Sequence, residues 1–469
     1  MNQSYLRDVF YCLSRIIVLG CLAVGMSHAS DDPLSKSQGS WGQDYDDQWA
    51  LKRVLDGADL QPSGGAPVVI AIIDTGVDYQ HPDLARDRIW RNSNERDNGI
   101  DDDENGYVDD LIGWDFANDT NNPWDNSGHG THVAGIIAAT TNNGRGVAGM
   151  TNQVQVMPLK VLNVFGRGRA DGVAAAIYYA VANGARVVNM SLGGAGQSPA
   201  QQRALQYAFD KGVLVVVASG NEGANTQGFG PAELDTVLTV GASGPDDKRL
   251  GFSNWGSSLD LVAPGQDVVS LRARFSDFAL VADTADYVAG EWIVGADAGY
   301  YRASGTSFAA PFVSGAAAVL LARDPGLEAP DLMRILRQSA RDTGTPGVDQ
   351  FSGYGLVSLK AALELPPGFF LRAQIAGVEV VEVKGQPAIR VLGTAAADRF
   401  GEAWVELGEG DEPARWKKAG KALREAVQDD ALVDIPGSAF GGASQWTLRL
   451  RVKHKDGREQ EARYVVDLG

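Results

Sequence analysis

Between Pro67 and Leu363 the sequence repeats one pattern: a short, almost wholly apolar run, an alanine-rich stretch, then another apolar run. The runs are Val68–Ile73, Val154–Leu162, Ala185–Met190, Val213–Ala218 and Val237–Gly241. Each has strand length and no polar alternation, the mark of strands buried on both faces. Helical segments fall between them at His132–Ala139, Asp171–Ala182 and Pro199–Asp210. This order predicts an α/β fold, a parallel β-sheet flanked by helices. Such sheets place their sites at the carboxyl ends of the strands. Leu365-Pro366-Pro367-Gly368 breaks the pattern, and the later runs Val378–Val383, Trp404–Leu407 and Trp446–Val452 alternate apolar with polar. They predict a separate antiparallel β-sandwich over 366–469.

The N-terminus reads differently. Arg7 and Arg15 precede an apolar run of 11 residues, Ile16–Met26, and Ser27-His28-Ala29 supplies small residues at a cleavage site. The expectation is a signal peptide over 1–29, with export to a secreted or periplasmic location. Val18-Leu19-Gly20-Cys21 approaches a lipoprotein signal, but the apolar run continues past Cys21. Eleven residues are too few to cross a bilayer, and no later uninterrupted apolar run reaches 18, so no transmembrane span is expected. Both cysteines, Cys12 and Cys21, lie in this segment. A chain from Ser30 then has no disulfide and no thiol chemistry. The net charge is −18 for the full chain, and −19 without Arg7, Asp8 and Arg15. That acidity argues against nucleic acid as a partner, because phosphate binding needs a basic face.

Three segments place polar residues where apolar elements end. In Ile72-Ile73-Asp74-Thr75-Gly76, Asp74 closes a buried strand, where a carboxylate needs partners. In Ser127-Gly128-His129-Gly130-Thr131-His132, small residues around His129 let another chain come close. His129 and His132 are three apart, but no third ligand is evident, so a zinc site is not expected and His132 reads as a core histidine. In Gly305-Thr306-Ser307-Phe308-Ala309-Ala310-Pro311, Ser307 opens an apolar helix, where free N–H groups favour negative charge.

Asp, His and Ser in that order, 55 and 178 residues apart, together with intact Asp-Thr-Gly, His-Gly-Thr-His and Gly-Thr-Ser, resemble the subtilisin-like serine proteases. The resemblance runs from Trp49 to Leu363. It implies a serine endopeptidase acting on polypeptides, with Asp74, His129 and Ser307 as the triad, a constellation long described for that family. By the same resemblance Asn221, in Ser219-Gly220-Asn221-Glu222-Gly223, is the oxyanion donor. Ser191, Leu192 and Gly193, with Ala218, Ser219 and Gly220, bind substrate. The first substrate pocket is expected between these segments, roomy and apolar, with Phe229 or Pro231 at its base and no carboxylate closing it. Phe308 departs from the methionine that many relatives carry beside the nucleophile. The competing readings are a catalytically silent scaffold on the protease fold and a narrow processing protease for one partner.

Residues 97–110 hold seven acids in fourteen positions. Asp101, Asp103 and Asn105 alternate before Gly106 like the start of a calcium loop, with Asp109 or Asp110 closing the shell. Asp83 matches a calcium ligand of the family, with Thr140–Gly144 as its companion loop. Ca²⁺ is therefore expected as a structural ion. The peptidase domain is expected over 30–365, with 30–65 wrapping it. Only 44 residues separate Ala29 from Asp74, so no inhibitory prodomain of the family's kind is expected. The stretch Phe275–Asp297 reads as a lid, an edge hairpin or a surface insertion. The sandwich resembles Ig/fibronectin-like modules and is expected to serve support, partner binding or anchoring.

Overall fold

A computed structural model describes residues 31–58, 60, 64–274, 292–295 and 297–468. Seven parallel strands form the central sheet: β1 Val68–Asp74, β2 Trp114–Asp115, β3 Val154–Lys160, β4 Val187–Met190, β5 Leu214–Ala218, β6 Leu238–Ser243 and β7 Leu261–Pro264. Their spatial order is β2-β3-β1-β4-β5-β6-β7. β1 is central, paired with β3 from Val68↔Val154 to Asp74↔Lys160 and with β4 from Ile70↔Val187 to Ile72↔Asn189. Its alternate side chains divide between two cores. Ile70 and Ile72 join the layer on one face, and Ala71 and Ile73 the layer on the other. That division explains why the strand shows no polar face.

The strands and helices expected in this α/β body are present, with ends shifted by at most three residues. The helices are α1 His129–Ala138, α2 Ala170–Ala182, α3 Pro199–Asp210, α4 Thr306–Arg323 and α5 Ala329–Gln338. Among the described residues α4 is the one helix long and apolar enough to cross a membrane, but it is buried in the core. It packs across β1 and β4 to β7 and beside α1. Two short edge strands, β2 of two residues and β7 of four, escaped the sequence reading.

Val268–Leu271, Tyr300–Ala303 and Ile293–Val294 form a small antiparallel sheet beside α1. Most of the expected lid or hairpin, 275–291 and 296, lies outside the described residues. The anticipated signal peptide and both cysteines also lie outside them.

Beyond Leu365 the chain forms two antiparallel sheets over one apolar core. One contains Leu371–Val383, Gln386–Ala397 and Val427–Pro436; the other Lys417–Leu423, Phe400–Glu409, Gln445–His454 and Glu459–Asp467. Arg334 on α5 donates to the Phe369 carbonyl at 2.9 Å, and the Leu371 N–H donates to Gln338 Oε1 at 3.0 Å. These bonds fasten the sandwich to the α/β body.

Candidate active site

The sheet brings the singled-out residues to one edge. Asp74 ends β1, Ser191 follows β4 directly, and Ser219, Gly220 and Asn221 follow β5. His129 opens α1 and Ser307 is the second residue of α4. These are the carboxyl ends of the strands, where an open α/β sheet leaves room for a ligand.

Asp74 is fully buried. Its Oδ1 accepts from the Thr75 N–H at 2.7 Å and faces His129 Nδ1 at 2.8 Å. A buried carboxylate in this position fixes the imidazole so that Nε2 points outward. Burial opposes charge on His129, but attraction from Asp74, with a smaller part from Asp125, outweighs it and holds its pKa above 6.5. Gly130 explains the close approach anticipated around His129. A Cβ there would lie 2.1 Å from the Gly76 carbonyl oxygen and 3.2 Å from Asp74 Oδ1.

Ser307 Oγ donates to the Ser191 carbonyl at 3.2 Å, and Ser191 Oγ donates to the Ser307 carbonyl at 2.7 Å. Ser307 thus points toward the Ser191 strand end, and no hydrogen bond between its hydroxyl and His129 occurs among the described residues. Phe308 places its ring 5.3 Å from His129 and 4.4 Å from His132, centroid to centroid. Asn221 Oδ1 accepts from Thr306 N–H at 2.9 Å and Thr306 Oγ1 at 3.0 Å. With its carbonyl engaged, the amide turns Nδ2 toward Gly305, 3.7 Å from the Cβ position of that residue.

His132 is a core histidine. Its Nε2 lies 3.0 Å from the Val268 carbonyl and 3.2 Å from that of Tyr301. Burial, with repulsion from His129, pushes its pKa down to about 3.

The expected substrate segments lie on either side of the Phe229 ring, which the sequence placed at the pocket base. Gly194–Ala195 pairs antiparallel with Phe229–Gly230. That pairing sets Phe229 Cε1 2.9 Å from the Cβ positions of both Gly193 and Gly220. The pocket is therefore occupied at its base by a ring edge. Glu222 Oε2 lies 2.7 Å from the Gly220 Cβ position and accepts from Asn254 Nδ2 at 2.8 Å. Leu192 is half-buried against the apolar layer that includes Ala232.

The acidic loop sorts into two sets. Asp101 and Asp109 spend their oxygens on the loop backbone, Asp101 on the N–H groups of Asn105 and Gly106, Asp109 on those of Asn98 and Gly99. Asp103 and Asp110 instead converge with Glu95, one oxygen from each lying within 4.8 Å of the others. Asn92 Nδ2 bridges Asp103 and Asp110 at 3.0 and 2.7 Å, and Asn105 Nδ2 meets Asp110 at 3.0 Å. Glu95 escaped the sequence reading because it stands two residues before the acidic run. Asp83 is buried elsewhere and accepts from Asn143 Nδ2 at 2.6 Å, Val147 N–H at 3.1 Å and Tyr300 Oη at 3.1 Å. Burial pushes its pKa up to about 6.

Two further buried charges were missed. Lys160 at the end of β3 donates to the carbonyls of Thr75 at 2.6 Å and Leu162 at 2.8 Å, and to Asn126 Oδ1 at 3.1 Å. Asp125 lies behind His129. Asp125 stands two residues before a motif and Lys160 near the end of an apolar run, and neither is distinguishable from a surface charge without the fold.

Residues 65–355 match the profile described as the Subtilase family. Among curated proteins the chain is 36% identical over 292 residues to a thermophilic serine proteinase of Bacillus sp. (strain AK1), covering 62% of this chain and 59% of that protein. It is 35% identical over 318 residues to a cell wall-associated protease of Bacillus subtilis, covering 63% of this chain and 30% of that protein. The match therefore spans less than two thirds of the length of both relatives. To thermitase of Thermoactinomyces vulgaris the identity is 33% over 291 residues, 62% of this chain and 84% of thermitase. Among solved structures, that of a cold adapted subtilisin-like serine proteinase is similar, with TM-score 0.52, 29% identity, and coverage of 66% of this chain and 97% of that one.

Proposed function

The chain belongs to the subtilase family, and from that premise we propose that it is an exported serine endopeptidase using Asp74, His129 and Ser307. The observation that carries the reading is the 2.8 Å contact between His129 Nδ1 and buried Asp74, made at the strand edge where Ser307 opens a core helix. In this reading a bound peptide draws the Ser307 hydroxyl away from the Ser191 carbonyl and onto His129 Nε2. His129 takes the proton as Oγ attacks the scissile carbonyl, and Asp74 stabilises the imidazolium. The oxyanion is held by Asn221 Nδ2 and the Ser307 N–H. His129 then protonates the leaving amine, and water hydrolyses the acyl-enzyme by the same route.

Ser191–Gly193 and Ala218–Gly220 bind the substrate backbone as flanking strands. Ca²⁺ is the proposed structural ion, held by Glu95, Asp103 and Asp110, whose carboxylates converge. An all-oxygen set without sulfur suits it. Three converging carboxylates, two of them on buried residues, repel one another unless a cation sits among them. Asp83, with Asn143 beside it, is the second proposed calcium position. Asp101 and Asp109 then act by shaping the loop. The proposed mature chain starts near Ser30, with a peptidase domain to Leu365 and the sandwich as support or partner surface.

The test is casein hydrolysis by the chain from Ser30 with calcium, beside Ser307→Ala. Ser307-dependent hydrolysis is expected, with fluorophosphonate labelling confined to Ser307. A folded chain that neither cleaves casein nor takes the label would sink the reading. Label without casein cleavage would point instead to a narrow processing protease.

A further inference from the structure

Asp125 is a carboxylate with no exposed surface, set between the two strands of chain that carry Asp74 and His129. Its Oδ1 accepts from Thr75 Oγ1 at 2.9 Å, Ser127 N–H at 2.9 Å and Gly128 N–H at 2.8 Å. Its Oδ2 accepts from Thr131 N–H at 2.9 Å and Thr131 Oγ1 at 2.7 Å. Thr75 follows Asp74, Gly128 precedes His129, and Thr131 stands two residues beyond it. Thr75 Oγ1 also accepts from the Gly130 N–H at 2.9 Å, and Thr131 Oγ1 from the Asp78 N–H at 2.8 Å. One anion thus gathers the turn after β1 and the first turn of α1 on both sides of His129. Burying a charge this completely is costly unless hydrogen bonds compensate, and here every donor belongs to the scaffold of the Asp–His pair.

The charges that face His129 are few. Asp74 approaches from β1 and Asp125 from the loop before α1. His132, one turn along α1, is held neutral by burial. Lys160 on β3 faces both carboxylates while its ammonium is engaged by the Thr75 and Leu162 carbonyls. The other close ring is Phe308, which is neutral.

We infer that Asp125 is a positioning residue for the proposed proteolysis: it locks the imidazole of His129 onto Asp74 and sets a second negative charge behind the imidazolium. The inference rests on the protease reading given above. It adds two separable effects, geometric and electrostatic, and two variants divide them. Asp125→Asn removes the charge and turns one acceptor into a donor facing other donors. Thr75→Val cuts the link to β1 and keeps the charge.

For Asp125→Asn, kcat is expected to fall about 10–10²-fold with KM within about twofold. The acidic limb of kcat/KM is expected to move down by about half a pH unit, because the imidazolium loses a stabilising charge. For Thr75→Val, kcat falls while the limb stays in place. Proton NMR follows the low-field signal of the His129 Nδ1 proton, which should shift or broaden in Thr75→Val. A folded Asp125→Asn with an unmoved limb, or Thr75→Val with wild-type kcat and an unchanged signal, overturns the inference. If Asp125→Asn does not fold, the Thr75→Val measurements decide. Should the wild type lack Ser307-dependent cleavage altogether, the protease reading fails instead, and the NMR signal still tests whether Asp125 and Thr75 hold the imidazole.

Discussion

Replacing Gly130 by alanine tests whether the Asp–His geometry depends on a backbone-to-backbone approach. Gly130 lies inside α1 with ordinary helical backbone, so helix propensity alone predicts that alanine stabilises by about 1 kcal/mol. The structure predicts the opposite. The added Cβ would sit 2.1 Å from the Gly76 carbonyl oxygen, where contacts below 3.0 Å are not tolerated. Relief requires α1 and the turn after β1 to part by about 1 Å, and both obstacles are backbone or the Asp74 side chain itself. Forced overpacking of this kind costs about 1–3 kcal/mol, enough to cancel the propensity gain and leave a net loss of up to about 2 kcal/mol. At roughly 1–2 °C per kcal/mol for a body of more than 300 residues, the melting temperature should fall by up to about 3 °C. The same displacement separates His129 from Asp74, and a 1 Å misplacement of catalytic groups costs about 10²-fold in rate. The assays are calorimetric Tm and kcat on a chromogenic peptide, with active sites counted by fluorophosphonate. A Gly130→Ala enzyme that melts at or above the wild-type temperature with kcat within twofold would refute the reasoning.

Other outcomes follow from the same geometry. Asn221→Ala should lower kcat about 10²–10³-fold with little change in KM, measured by initial rates over a substrate series. Because Asp74 holds the His129 pKa above 6.5, and only neutral imidazole accepts the Ser307 proton, kcat/KM should rise with pH through a value above 6.5; a pH–rate profile with its acidic limb well below that value contradicts the pairing. Chelation should lower Tm and calcium restore it, by about 2.7 kcal/mol at a hundredfold excess over Kd, and Glu95→Gln should remove most of that shift. Peroxide should inactivate slowly, since Phe308 flanks the nucleophile and Met150, Met157, Met190 and Met333 are buried; rapid loss with oxidation mapped near Ser307 would contradict this.

The sheet was legible because strands buried on both faces read as largely apolar runs, which the few polar residues within them (Gln155, Lys160, Asn189 and Thr239) do not turn into an alternation. The strand-end residues were legible because a polar side chain after such a run is conspicuous. Asp125 and Lys160 were not, because their burial depends on which loop closes over them. Glu95 was not, because a ligand set is a property of distance, and the loop turns back on itself between residues 95 and 110. Phe229 was legible as a residue at the pocket base, but its closeness to Gly193 and Gly220 was not, because the ring arrives through a strand pair of two residues.

The helix that carries Ser307 is also largely enclosed, with 14 of its 18 residues buried and its length packed against the sheet and α1. Amides along such an element exchange with solvent only through openings that cost close to the full free energy of unfolding. Ser307 therefore has no private, low-cost route to disorder. Exchange protection at Ala309–Leu321 should equal global stability, and heat should abolish cleavage and structure in one step. A fold built this way should expose its central strands to neighbouring copies only in those rare global events, so its loss by association in concentrated solution should follow its unfolding rate.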